Sequence, residues 1–157
     1  IYTGEDTLSL HDALPIYDDR AAIEAAMTQT DVTHLADRTV DTLSGGEKAR
    51  AKFARVLAAE THWIFADEPL ANLDPPHQQD VLHLLRGAAQ DGKGVVVVLH
   101  QLEAAARVAD DILILKEGRL LAFGPTADVM TSATLEAAFD MAMDVLDVGG
   151  RIAVLPR

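Results

Sequence analysis

An α/β fold, with a parallel sheet and flanking helices, is predicted by three features of this 157-residue sequence. Strand and helix patterns alternate from residue 62 to 116, the arrangement that right-handed crossovers and parallel strands produce. Gly94–Leu99 holds four consecutive valines, a continuous apolar run that suits a strand buried on both faces. Between the two strand patterns, Asp74-Pro75 gives a helix start, with a side-chain acceptor at the N-cap and proline at N1.

Residues 1–16 mix Thr, Gly, Asp, His and Pro with no helical or strand period. They resemble the translated read-through of a cloning or sequencing adapter, or a frayed native terminus, and are set apart from the fold prediction as a non-native or disordered leader. Regular structure is expected over 17–157. Asp18–Thr28 carries Ile23 and Met27 four apart in an Ala-rich stretch, a helix pattern. Asp31–Leu35 reads as one more helical turn and Thr39–Gly46 as a loop. Glu47–Glu60 is predicted helical, with Ala49, Phe53, Val56 and Leu57 on one face. His62–Ala66 is a short apolar strand. The helix opened by Asp74 runs to about Gln90 and stops at Asp91-Gly92. Gln101–Ala109 is the next helix. Asp111–Leu115 and Arg119–Phe123 form a hairpin around Glu117-Gly118. Pro125–Met130 and Thr134–Asp140 are helical, and Met141–Asp147 with Arg151–Leu155 form a small C-terminal hairpin around Gly149-Gly150.

Composition narrows the function. Thirteen Lys and Arg against 25 Asp and Glu leave a net charge of −12, which gives no electrostatic footprint for nucleic acid or anionic lipid. Cysteine is absent, so disulfide frameworks and Cys-based zinc sites are excluded. The aliphatic run at Val95–Leu99 is far shorter than the ~20 residues of a membrane-spanning helix. No basic stretch followed by an apolar core marks a secretory signal. The expectation is an acidic, soluble protein of a reducing compartment.

Four short segments carry chemistry. Ser44 and Glu47 in Leu43-Ser44-Gly45-Gly46-Glu47 fit a capping box. Capping alone does not call for Gly45 and Gly46, because each glycine in a first turn sacrifices about 0.5–1 kcal/mol relative to alanine. Paired glycines ahead of a helix suit close approach of a ligand, and a helix N-terminus favours phosphate. In Trp63–Pro69, apolar residues run straight into Asp67 and Glu68. Asp67 at a strand tip would hold Mg²⁺ through water, and Glu68 beside it is placed to take a proton from an attacking water; a solvated acidic turn is the plainer reading. Asp74, in Leu70–Asp74, is an N-cap and also a candidate site residue. His100 follows the valine strand and shares a sheet edge with Asp67, since ligands gather at the carboxyl ends of parallel strands; a structural histidine is its plainer reading. Gly87–Gly94 nearly matches the phosphate loop but ends in glycine where a hydroxyl is needed. It also closes a helix and opens a strand, the reverse of the required order, and reads as a turn.

These four segments, in this order and spacing, resemble the second half of an ABC-transporter ATPase subunit, a partial P-loop NTPase fold with a signature-helix subdomain on its N-terminal side. Leu43–Glu47 resembles the signature loop, Ile64–Glu68 the Walker B strand, Asn72–Asp74 the D-loop and His100 the switch histidine. Arg50 and Ala54-Arg55 sit where the family places them on the signature helix. The resemblance implies ATP and Mg²⁺ as ligands, Asp67 as a water-mediated Mg²⁺ ligand, Glu68 as the base and His100 as the γ-phosphate sensor. Ser44, Gly45, Gly46, Glu47 and Asp74 would serve a nucleotide held by a second ATPase subunit, in a homodimer docked on transmembrane permease subunits at the cytoplasmic face of the inner membrane. The phosphate loop, the adenine-stacking aromatic and the glutamine loop have no counterpart in 17–157, so this stretch resembles the C-terminal part of a subunit that would be inactive alone. Gln101 stands where Asp is common. The His77-Gln78 pair and the tail after Gly124-Pro125 are similar to importers of ferric siderophores, haem and cobalamin. A soluble ABC-type ATPase outside transport, and an inactive fragment that only binds other subunits, are the alternatives.

Overall fold

In the computed structural model, residues 17–157 are described; the expected leader 1–16 lies outside them. The described residues form two compact units. One takes in residues up to Phe65 together with Asn72–Val96, the other Ala66–Ala71 together with Val97–Arg157.

The first unit is led by α1 (Tyr17–Gln29) and α2 (Gly45–Ala58). Two 3-10 turns, Thr33–Leu35 and Val40–Thr42, lie between them. The expected loop over Thr39–Gly46 is therefore partly helical, and α2 opens two residues earlier than predicted. The capping box explains this: with Ser44 at the N-cap, Gly45 is already the first helical residue. On α2, Phe53, Ala54 and Leu57 are buried, while Val56 of the predicted apolar face is exposed. Val56 stands one residue before Leu57, about 100° around the helix, and so turns off the Phe53–Leu57 stripe. α3 (Pro75–Gln90) buries Val81, Leu82, Leu85 and Ala88 at helical spacing. Gln29 Nε2 donates to Asp91 Oδ2 at 3.0 Å, tying the end of α1 to the cap that closes α3.

β1 (Trp63–Asp67) and β2 (Gly94–Val98) are neighbours in a two-stranded sheet. Gly94 N–H donates to the His62 carbonyl at 2.9 Å, and Glu68 N–H donates to the Val98 carbonyl at 3.1 Å. Both strands thus advance in the same direction, and the pair is parallel. Ile64 is buried, but Trp63 and Phe65 are 60% and 76% exposed and stack with ring centroids 6.2 Å apart. Val96 and Val98 are also exposed. The valine strand is therefore not covered on both faces among the described residues.

The second unit adds α4 (Leu102–Val108), β3 (Asp111–Lys116) and β4 (Arg119–Pro125). β3 and β4 pair antiparallel, with Leu113 opposite Phe123. Their tight turn places Glu117 at φ 51° and Gly118 at φ 73°, the positive values a two-residue hairpin turn requires. The alternation that suggested a longer parallel sheet thus stops at β2, since this turn gives β3 its partner in β4. α5 (Thr126–Val129) and α6 (Ser132–Phe139) follow, then the antiparallel hairpin β5 (Met143–Asp147) and β6 (Ile152–Pro156). Pro125 ends β4 rather than opening α5. The core gathers Met130, Leu135, Met143 and Val154, packed by Ile112, Ile114 and Leu102 among others. Arg157 closes it from outside, pairing with Glu136 and, at 3.0 Å, with Asp144.

Candidate functional site

In the first unit, the glycine pair and the Asp74 cap come together. Ser44 N–H donates to Glu47 Oε2 at 2.7 Å and Glu47 N–H donates to Ser44 Oγ at 3.3 Å, so the capping box is complete. Gly45 and Gly46 contribute first-turn N–H groups that no helical carbonyl accepts. The two glycines face different surroundings. A Cβ on Gly45 would meet nothing within 4 Å, whereas one on Gly46 would lie 2.6 Å from His77 Cγ and closer still to Nδ1 and Cε1. Gly45 is the open position, and Gly46 makes room for the half-buried ring of His77. Asp74 caps α3 by accepting from the His77 N–H at 3.3 Å. Gln78 Nε2 donates to the Leu73 carbonyl at 3.0 Å, fixing the chain just before that cap. In the sequence, His77 and Gln78 stand out only as a subclass marker. The spacing Asp74, His77, Asp80 places all three on one helix face and held the clue to their packing.

The box also sets the Glu47 ionisation. The Ser44 N–H bond, then the Ser44 hydroxyl, hold its carboxyl below the ordinary glutamate range, with Arg38 and Arg50 adding attraction against a small desolvation cost. A folded pKa below the unfolded one contributes stability at pH above the unfolded value, about 4.3, and that contribution is lost as pH falls through the folded value. We expect the stability difference between the wild-type protein and Glu47→Gln to shrink on acidification below about pH 4.3, followed by denaturant titration across pH. A difference that stays constant through this window would assign the capping to shape rather than charge.

In the second unit, Glu68 and His100 meet at the ends of the parallel strands, with Asp67 next to Glu68 in the chain. Glu68 has φ 46°, a left-handed conformation that costs a non-glycine residue on the order of 1–3 kcal/mol. The turn is held by the Glu68 N–H bond to Val98 and by Ala71 N–H donating to the Glu68 carbonyl at 3.1 Å, and Leu70 anchors it from the buried side. His100 Nε2 lies 2.7 Å from Glu68 Oε1. A carboxylate oxygen only accepts, so Nε2 carries the proton. Both side chains remain open to solvent, His100 at 75% and Glu68 at 49%. The shared strand edge suggested that His100 and Asp67 are neighbours; the direct partner is Glu68.

Asp67 ends β1 and is exposed. Among the described residues no three His, Asp or Glu side chains gather to hold a metal. A lone strand-tip carboxylate fits Mg²⁺, which keeps several waters and takes one or two carboxylates plus substrate phosphates rather than a protein cage. The open Gly45 backbone at a helix start fits a phosphate oxygen in the same sense.

Residues 3–71 match the ABC transporter family model. The hemin import ATP-binding protein HmuV of Rhodococcus jostii is 47% identical over 142 residues, 89% of this chain and 49% of that protein. The chain carries part of an ABC transporter ATP-binding domain. HmuV of Bordetella parapertussis is 41% identical over 150 residues, 88% of this chain and 57% of that protein. A solved structure described as a metal-chelate type ABC transporter in an inward-facing conformation superposes with a TM-score of 0.81 at 30% identity, covering 92% of this chain and 59% of that one. The chain thus spans about half the length of the curated relatives it matches. No helix of the described residues is long and apolar enough to cross a membrane.

Proposed function

We propose that this chain is part of an ATP-hydrolysing subunit that powers import of haem or a related metal chelate. The observation that carries the ATPase reading is the Glu68–His100 pair, 2.7 Å apart at the end of the Walker B strand. Glu68 would accept the proton of the attacking water, and His100 would hold the Glu68 carboxylate in place while its ring reaches toward the γ-phosphate. Asp67 would hold Mg²⁺ through water; that ion supplies charge neutralisation on the phosphate oxygens. Ser44, Gly45, Glu47 and Asp74 would face the nucleotide of a second ATPase subunit, and Gly46 would contribute only its backbone N–H, since the space beside its Cα is filled by His77. On this reading the two compact units serve different composite sites of a homodimer, so their site residues need no mutual contact. The cargo reading rests on similarity to proteins named for hemin import. The partners would be permease subunits, with the ATPase peripheral on the cytoplasmic face.

The test uses the complete subunit, joined to permease subunits and reconstituted in vesicles. Haem presented on the transport side is expected to raise ATP hydrolysis above the unloaded rate. Stimulation by a ferric siderophore but not haem would move the cargo within the class. Hydrolysis that no chelate alters would remove the importer reading.

A further inference from the structure

We propose that His77 is a positioning residue: it keys the first turn of α3 against the first turn of α2, so that the D-loop and the signature loop reach a partner's nucleotide as one piece. The proposal rests on the reading given above, in which both loops serve the second subunit. The ring fills the space a Cβ on residue 46 would occupy. It is held from two sides along its own helix. Nδ1 lies 3.4 Å from Asp80 Oδ2, and Nε2 lies 3.8 Å from Asp74 Oδ1. Asp80 in turn faces Arg50 NH1 of α2 at 3.7 Å, so the same helix pair is joined again one turn along. Gln78 secures the Leu73 carbonyl, which ties the chain before Asp74 to the same turn. Rotation of α3 would drive the ring out of its seat on Gly46, and displacement of α2 would close that seat. Either element can therefore be moved only with the other. Gly46 and His77 are 31 positions apart in the chain (77 − 46), so this is a tertiary lock rather than local capping.

The function of such a lock is geometric. Signature-loop donors act only when they stand within bonding distance of a phosphate, and a misplacement of about 1 Å at such a site costs up to roughly 10²-fold. A residue needed merely for folding would change stability; a positioning residue changes the closed, nucleotide-bound dimer while leaving the subunit's own nucleotide affinity alone.

The experiment uses the complete subunit carrying Glu68→Gln, which on the proposed function lacks the base and so keeps its ATP unhydrolysed, the condition under which an ATP-bridged dimer would persist. We expect His77→Ala to leave the thermal midpoint and the ATP affinity of the dilute monomer unchanged. The ATP concentration for half-maximal dimer, read by light scattering, should rise roughly tenfold to a hundredfold, the scale of a ~1 Å misplacement. Gly46→Ala should abolish the dimer, and Gly46→Ala combined with His77→Ala should recover to the level of His77→Ala alone. Dimerisation of the His77→Ala protein at the ATP concentration of its parent would overturn the proposal. So would a double variant no better than Gly46→Ala, which would show that the histidine is not what Gly46 accommodates. If Glu68→Gln alone forms no ATP-dependent dimer, the functional reading falls and this proposal falls with it, an outcome distinct from a normal dimer that ignores His77.

Discussion

On the proposed function, Glu68→Gln in the complete subunit is expected to lower ATP turnover by about 10²–10⁴-fold, the contribution of a positioned general base. The change removes proton-accepting capacity and little else. Glutamine keeps the side-chain length, and its carbonyl oxygen can still accept the proton on His100 Nε2, the bond seen at 2.7 Å in the parent. The strained turn at residue 68 rests on backbone bonds to Val98 and Ala71, which the substitution does not touch. ATP binding should therefore persist while hydrolysis stops, measured as nucleotide retained by the protein against phosphate released. Turnover within a few-fold of the parent would remove Glu68 from the role of base and leave its bond to His100 as a structural tie.

Leu135→Ala is expected to destabilise the fold by about 2–5 kcal/mol, the range for truncating a fully buried leucine. Leu135 is 0% exposed and sits among Met130, Met143 and Val154, with Ile112 and Ile114 of β3 packed against the cluster. α6 is only eight residues long, too short to be stable without tertiary packing. Loss of the leucine should loosen α6 and the β5–β6 hairpin together. Denaturant titration gives the magnitude, and hydrogen exchange along Met143–Asp147 gives the location. Leu135→Met, which conserves volume, should cost less than ~1.5 kcal/mol. A cost below ~1 kcal/mol for the alanine would mean that the cluster collapses onto the gap instead of leaving a cavity.

What the sequence disclosed was local. Asp74-Pro75 opens a helix because the acceptor and the proline act within one turn. Ser44 and Glu47 bond each other across three residues, and Glu117-Gly118 turns a hairpin on its own backbone preferences. The family resemblance was legible for the same reason, carried by short runs whose order is the signal. Features set by distant segments were hidden. Nothing near Gly46 reveals that a histidine from α3 occupies its missing side chain. Nothing near Glu68 reveals its positive φ, which goes with a backbone bond to the carbonyl of Val98 on another strand. The valine run showed apolarity but not cover: Val96 and Val98 are apolar and exposed, because period and composition describe a strand, not what lies across from it. The two glycines that looked alike in sequence differ for the same reason, one open and one filled.

The stacked pair on β1 gives this chain a built-in optical reporter. Trp63 is its single tryptophan, half-open to water and lying against Phe65. Its emission therefore originates from one strand edge and nowhere else. A shift of that emission to shorter wavelength marks water leaving this edge, and quencher access to Trp63 measures how completely another surface has closed over it.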